Sequence, residues 1–303
     1  MSLAVAHEFT RVSGASVADC CFIAQRYPEA DGCFRPGRGE SFVGMTAPDR
    51  VRLGIGGPGW FTGIWRGADR TIFVSDIEGR VYTLPRGEGD RWDRVDLPGA
   101  LLGIWGADDG CVWAWGSLGA ASVLYHYDGS AWRPQVGPGE VVAIHGLHRG
   151  LAFAVGHRGL IARWDGTAWT RMECPVHETV SGVCAVSEAE AYAVTAAGAF
   201  LEGSAYGWSV RERREHLLYS VAAYRGGVYA GAPFPDGLLK LGAEGLETHE
   251  RELDPYQMDT RGDLLLANPY VLASSPDASA WTRLPLSTLE QLLAGVPAAL
   301  PLA

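Results

Sequence analysis

Apolar residues in this chain come in short runs in which large and small or polar side chains alternate, each closed by a turn rich in Gly, Asp or Ser. That alternation describes half-buried strands, and the 3.6-residue periodicity of a helix emerges only over 287–293. The runs repeat. Centres at Gly63, Gly103, Ala143, Gly182, Ser220 and Asp259 lie 40, 40, 39, 38 and 39 residues apart. A regular period near forty residues marks one supersecondary unit stacked many times, and for strands that unit is a four-stranded propeller blade.

Five repeats open alike, with Phe61-Thr-Gly-Ile-Trp65, Leu101-Leu-Gly-Ile-Trp105, Val141-Val-Ala-Ile-His145, Val180-Ser-Gly-Val-Cys184 and Leu218-Tyr-Ser-Val-Ala222. The third residue is always small, which predicts an inner strand whose backbone is closely approached. Second strands are expected at 71–75, 111–115, 151–155, 191–195, 227–230 and 263–267, and third strands at positions such as 123–127 and 160–164. The turn into the fourth strand reads Asp128-Gly-Ser-Ala-Trp132 and Asp165-Gly-Thr-Ala-Trp169. Asp-Gly is a strong hairpin signal, because glycine accepts positive φ and the carboxylate caps the turn. A tryptophan follows at Trp92, Trp132, Trp169, Trp208 and Trp281, with Leu246 in its place once. A large ring at one point of every outer strand predicts a wedge between blades.

Six repeats fill 58–286, and residues 1–57 are long enough for one divergent blade, with strands at 20–25, 32–35 and 41–45. An all-β propeller of seven four-stranded blades is therefore expected in preference to six. The segment Gly54-Ile-Gly-Gly-Pro-Gly59 reads as a linker into the second blade, and residues 287–303 as a tail folded over one face. One blade is expected to take strands from both chain ends, since an open seam would leave unpaired strand edges.

The repeat Ile104-Trp-Gly, Val112-Trp-Ala-Trp-Gly, Leu124-Tyr-His-Tyr-Asp-Gly, Trp132 resembles bacterial propeller repeats related to the Asp-box and to the photosystem-assembly propellers. The resemblance covers 61–286. Of the Asp-box pattern Ser-x-Asp-x-Gly-x-x-Trp, Ser275-Pro-Asp277 keeps the serine and aspartate but has Ser279 in the glycine position, and His126 and Arg163 stand at the serine position of the two Asp-Gly copies. It implies architecture, because such repeats serve unrelated functions.

A formal charge of −10 argues against nucleic-acid binding, which needs clustered cations, and suits a basic protein partner. The first residues carry His7, Glu8 and Arg11 where a secretory signal would be apolar, and no apolar run is long enough to span a membrane. A cytoplasmic monomer is the expectation. Cys20, Cys21, Cys33, Cys111, Cys174 and Cys184 are scattered, which predicts buried, reduced thiols, neither a disulfide framework nor a zinc site.

Candidate chemistry is sparse. The chain has no GxSxG elbow, HExxH, P-loop or dinucleotide fingerprint. Phe34-Arg35-Pro36 resembles the Phe-Arg-Ile-Pro motif of sialidases without its isoleucine. A glycan-active enzyme built on that resemblance would need Arg35, Arg261, Tyr256 and Glu178 to converge on one mouth of an axial pocket. His145, at the end of an inner strand, and His148 and His157 in turns are too dispersed to predict a metal. The acid pairs Asp108 with Asp109, and Glu188 with Glu190, occupy equivalent turns and read as blade grammar. No cofactor is implied.

Binding is expected on loops between second and third strands and at blade crossings, where packing constrains sequence least. The candidate residues are Trp60, Asp76, Glu78, His157, Arg158, His177, Glu178, Arg214, Phe234, Asp236 and Tyr256. Ala232-Pro-Phe-Pro-Asp-Gly237 puts an aromatic between two prolines, the pattern of a rigid docking anchor. The sequence thus points to a non-catalytic, protein-binding propeller, with an inhibitor or immunity protein against a basic toxin as its specific form. The alternatives are the glycan-active enzyme and a glycan-binding lectin.

Overall fold

The computed structural model describes residues 4–35, 37–48 and 50–297. Its strands form seven four-stranded antiparallel sheets, each built from four consecutive strands, over 5–58, 61–96, 100–135, 141–171, 180–213, 220–250 and 257–285. The protein is a seven-bladed β-propeller, called here blades one to seven. Its contacts fall into two compact units, Met1–Pro98 with Asp259–Ala303, and Gly99–Met258.

The small residue of four of the five opening runs sits beside a β-bulge, whereas Ser220 pairs in regular register. Pairing between the first two strands slips between Phe61 and Gly63, Val141 and Ala143, and Val180 and Gly182, and the third blade skips Leu102 in the same way. The first blade, with no sequence match to the repeat, slips between Phe9 and Arg11. One extra residue bends the strand at this point, and the residue after it faces a close neighbour. At Gly103 a Cβ would lie 2.3 Å from the Trp115 ring of its own blade, and at Gly182 it would meet Val194 of its own blade at 3.2 Å and Ser220 of the next at 3.4 Å.

Packing between neighbouring blades forms the core. Trp113 of blade three meets Trp164 and Trp169 of blade four, and Trp208 of blade five meets Phe153 of blade four edge-on at 5.5 Å. Trp92 joins a cluster with Cys21, Ile23, Val43 and Met45 of blade one. The recurrent tryptophan of a fourth strand therefore packs on the preceding blade at these three places, and Leu246, where it replaces tryptophan, is buried against Val194 and Phe200 of the blade before.

The N-terminal blade departs from expectation. Asp19–Pro28 and Glu40–Ala47 match the anticipated strands, but 32–35 is loop after a short 3-10 turn, and the strand Val5–Ser16 carries no repeat signal. The anticipated linker is most of the fourth strand, Arg50–Pro58. Its glycines answer crowding: a Cβ on Gly56 would come within 2.3 Å of the Phe42 ring, and one on Gly54 within 2.6 Å of the Met45 methyl. Nor do the chain ends share a blade. Instead Phe9, Val12 and Phe22 pack with Leu265, Leu272, Leu289 and Leu293, and Phe9 N–H donates to Pro269 O at 3.1 Å. Side-chain burial does here what strand sharing was expected to do.

The helix Leu286–Ala294 covers the anticipated helical stretch, and residues 298–303 lie outside the described residues. All six cysteines are free; Cys20, Cys21, Cys111 and Cys184 are buried, Cys174 is half-buried, and Cys33 is exposed, unlike the expectation.

Candidate functional site

A cavity of about 710 Å³ lies in the first unit, between blades one and two. It is walled by the ends of the strands Glu40–Ala47 and Arg50–Pro58, the turn after Phe61–Arg66, and the loop 85–90, with Cys20, Met45, Thr46 and Ile72 among its lining. Five arginines also line it: Arg50, Arg52, Arg66, Arg70 and Arg86. Alternation along a strand puts Arg50 and Arg52 on one face.

Internal acids hold three of them. Asp19 accepts from Arg66 at 2.8 Å and from Arg70 at 2.7 Å, while Arg52 donates to Asp90 at 3.2 Å and to Gly87 O at 3.0 Å. Burial works against ionisation of Asp19, but the two guanidinium groups outweigh it and hold its carboxyl below the usual range. Arg50 and Arg86 pair with no acid among the described residues. Burial pushes the Cys20 thiol up to about 12, so the cavity lining offers no thiolate nucleophile. The chemistry on offer is recognition of oxyanions by guanidinium forks.

None of the binding residues expected from the sequence lines this cleft. Sequence reasoning favoured the 2–3 turns and blade crossings, whereas the cleft uses the 1–2 and 3–4 turns at the other end of the strands. A signal was present in the cationic residues clustered over 50–70, but they are separated by strand breaks that hide their convergence.

The sequence-derived residues fall into separate groups. In the first unit, Trp60 is half-buried with its ring 5.8 Å from Phe34, and its indole N–H donates to the Gln25 side chain once that amide is oriented to satisfy its neighbours. Asp76 is 3% exposed and accepts from the backbone N–H groups of Glu78 and Arg80, so it caps its own turn; burial raises its carboxyl. Glu78 is exposed and ion-paired with Arg80.

In the second unit, Glu178 accepts from Arg213 at 2.9 Å. Burial opposes ionisation there, but backbone N–H groups and Arg213 together keep the carboxyl low. His157 contacts the Thr179 hydroxyl at 3.0 Å, Arg158 donates to Glu140 at 2.8 Å, and His177 is exposed. Arg214 bridges Glu212 at 3.1 Å and Asp236 at 3.3 Å, and Asp236 also contacts His216. Arg214 and Asp236 therefore brace the loop that carries Phe234, whose side chain is 78% exposed. Tyr256 packs on Tyr219 with ring centroids 4.1 Å apart.

The clamp required of a sialidase-like site does not form. Arg35 lies on the loop after Asp19–Pro28, whereas Arg261 donates to the Arg66 carbonyl and to Ser13 near the opposite end of that strand. A ten-residue strand separates the two ends by roughly 30 Å. Pro36 lies outside the described residues. His145 falls within the strand Val141–His148, not at its end, and its Nδ1 accepts the Ala185 N–H at 3.1 Å. No group of three His, Cys, Asp or Glu residues placed to hold a metal occurs among the described residues. None of their helices is long and apolar enough to cross a membrane.

No protein-family model matches the chain, and no curated protein matches it in sequence. Solved structures do. The WD40 propeller domain of Doa1 superposes with a TM-score of 0.63 at 12% identity, over 92% of this chain and 94% of that one. YCF48 bound to D1 peptide gives 0.60 at 10% identity, over 90% of each chain. Sqt1 of Saccharomyces cerevisiae gives 0.55 at 6%, over 94% and 98%. At these identities the likeness is one of architecture, and what the chain shares with these proteins is the β-propeller fold.

Proposed function

We propose that this chain is a non-catalytic protein-binding propeller. The observation that carries the reading is the loop Ala232–Gly237: Phe234 stands 78% exposed on a segment closed by Ala232 N–H to Gly237 O at 2.9 Å and tied down by Arg214 and Asp236. A preordered aromatic loses little entropy on docking, which is the character of an interface hot spot. The solved YCF48 propeller holds a peptide, an example of this use of the fold. The charge of −10 supports a basic partner, with neutralisation of a basic toxin as the narrower form of the reading.

The test is recovery of the tagged chain from its native lysate at low salt, as wild type and as Phe234→Ala. A stoichiometric basic partner should accompany the wild type and bind the variant at least about tenfold more weakly, as truncating a hot spot does. A chain recovered alone, or a partner indifferent to Phe234, sinks the proposal.

A shallow groove of about 330 Å³ lined by Met172, Pro175, Tyr206 and Trp208 favours the lectin as a second reading, since Tyr206 is 79% exposed. A glycan array binding the wild type and losing its signal in Tyr206→Ala would establish it.

A further inference from the structure

We propose that the arginine-lined cleft between blades one and two is a binding site for a phosphate monoester. It goes beyond the Phe234 reading and stands independently of it. The charge around the cleft is the first argument. Among the described residues, Arg50, Arg52, Arg66, Arg70 and Arg86 line the cleft against the acids Glu88 and Asp90 in the lining and Asp19 paired behind it, an excess of two positive charges in a protein of net charge −10. A phosphate monoester carries about −1.5 to −2 near neutral pH, a compact charge of matching size.

Preorganisation is the second argument. Asp19 fixes Arg66 and Arg70, and the loop carbonyls of Gly87 and Gly89 fix Arg52. Held in place, these groups lose little freedom when an anion arrives. Arg50 and Arg86, which pair with no acid among the described residues, supply the guanidinium groups whose charge the protein does not answer itself. Two lining residues, Arg70 at φ 74° and Arg86 at φ 55°, also hold left-handed backbone that other side chains rarely adopt, a strain that concentrates at ligand sites.

The acids at the cleft select among anions. Glu88 and Asp90 repel an extended run of carboxylates, whereas one tetrahedral group can remain among the guanidinium groups. A volume of about 710 Å³ holds the phosphate together with the group that bears it. That bearer is either a phosphorylated residue of a partner or a small phosphorylated molecule, and the recognising chemistry is the same.

Titration of the full chain with inorganic phosphate, a phosphoserine pentapeptide, its unphosphorylated form and its glutamate form decides the matter. Both phosphate-bearing probes should bind, with affinity lowered about tenfold or more in Arg50→Gln and again in Arg86→Gln, and falling as salt rises. Tighter binding of the phosphopeptide assigns the site to a phosphorylated partner; equal or tighter binding of inorganic phosphate assigns it to a small molecule. Both side chains are exposed, so thermal melts of the variants should match the wild type. Should Arg86→Gln misfold, Arg50→Gln alone carries the test. Absence of binding, equal affinity for the glutamate peptide, or indifference to the arginines overturns the proposal while leaving the Phe234 experiment untouched.

Discussion

Trp113 and Trp169 meet edge to face across the boundary between blades three and four, ring centroids 6.0 Å apart and planes at 71°. Trp113 is fully buried, stacks on Trp105 and His126 within its own blade, and also touches Trp164. Neither the Trp113 nor the Trp169 indole N–H finds a hydrogen-bond partner among the described residues, so what these rings contribute is apolar area and ring geometry.

Trp113→Ala should therefore cost about 3 to 5 kcal/mol, the range for deleting a buried aromatic ring. Trp113→Phe should cost much less, because no N–H bond is lost with it. Chemical denaturation with an unchanged m-value measures both. Equal losses for the two variants would show that the N–H contributes after all.

The Asp-Gly turns make a sharper backbone prediction. Gly166 holds φ 97°, with Gly150 Cα 3.4 Å from where a Cβ would sit, and Asp165 accepts from the Thr167 and Ala168 N–H groups at 2.8 and 2.9 Å. Those bonds, with the Thr167 hydroxyl, lower the Asp165 carboxyl to about 2. In the seventh blade Ala278 takes the corresponding place at φ 60°, within the left-handed well that an L-residue can enter. Gly166→Ala should destabilise by about 1 to 2 kcal/mol, since 97° lies outside that well. A melting temperature unchanged from the wild type would mean the turn relaxes to the Ala278 geometry.

These turns also show what the sequence could reveal. Asp-Gly-x-x-Trp is readable because each residue answers a local demand: positive φ, a capped turn, a ring against the preceding blade. The strand Val5–Ser16 shares the bulge of the first strands of blades two to five but has Arg11 where they have a small residue, so its membership is written in pairing rather than composition. Gly54–Gly59 misleads for the opposite reason: glycines that look like a linker are cut to fit Phe42 and Met45 within a sheet. The arginine cleft is hidden still further, because Arg52, Arg70 and Arg86 meet only once two blades lie side by side.

His126 links the aromatic cluster to pH. Its ring stacks on Trp113 at 4.9 Å, and its Nε2 lies 3.3 Å from the Cys111 sulfur. Burial lowers its pKa from the ordinary 6.5, against a smaller opposing pull from Asp128. A depressed histidine is neutral in the folded state while the unfolded chain still takes up a proton near 6.5. Its contribution is thus complete above that pH and is lost as pH falls towards the folded value. His7, lowered mainly by burial, acts in the same direction. Melting temperature should be level from pH 8 to about 7 and fall below about 6.5, with a shallower fall in His126→Phe. An identical slope in that variant would assign the acid sensitivity elsewhere.

A buried ion pair anchors the C-terminal helix. Arg26, 6% exposed, donates to Glu40, 1% exposed, at 2.6 Å, and reaches the carbonyls of Leu293 at 3.2 Å and Val296 at 2.8 Å. One buried guanidinium group thus ties blade one to the helix end, where the partial negative charge of the helix dipole favours a cation. Removing one partner of a buried pair leaves the other uncompensated, at a cost of about 3 to 5 kcal/mol, while exchanging both for apolar groups of similar volume can be nearly neutral. Glu40→Gln should accordingly destabilise strongly and raise amide exchange at the helix end, Arg26→Met should do the same, and Arg26→Met with Glu40→Leu should recover much of the loss. Additive losses in the double variant would show instead that the carbonyl contacts, and not the ion pair, hold the helix in place.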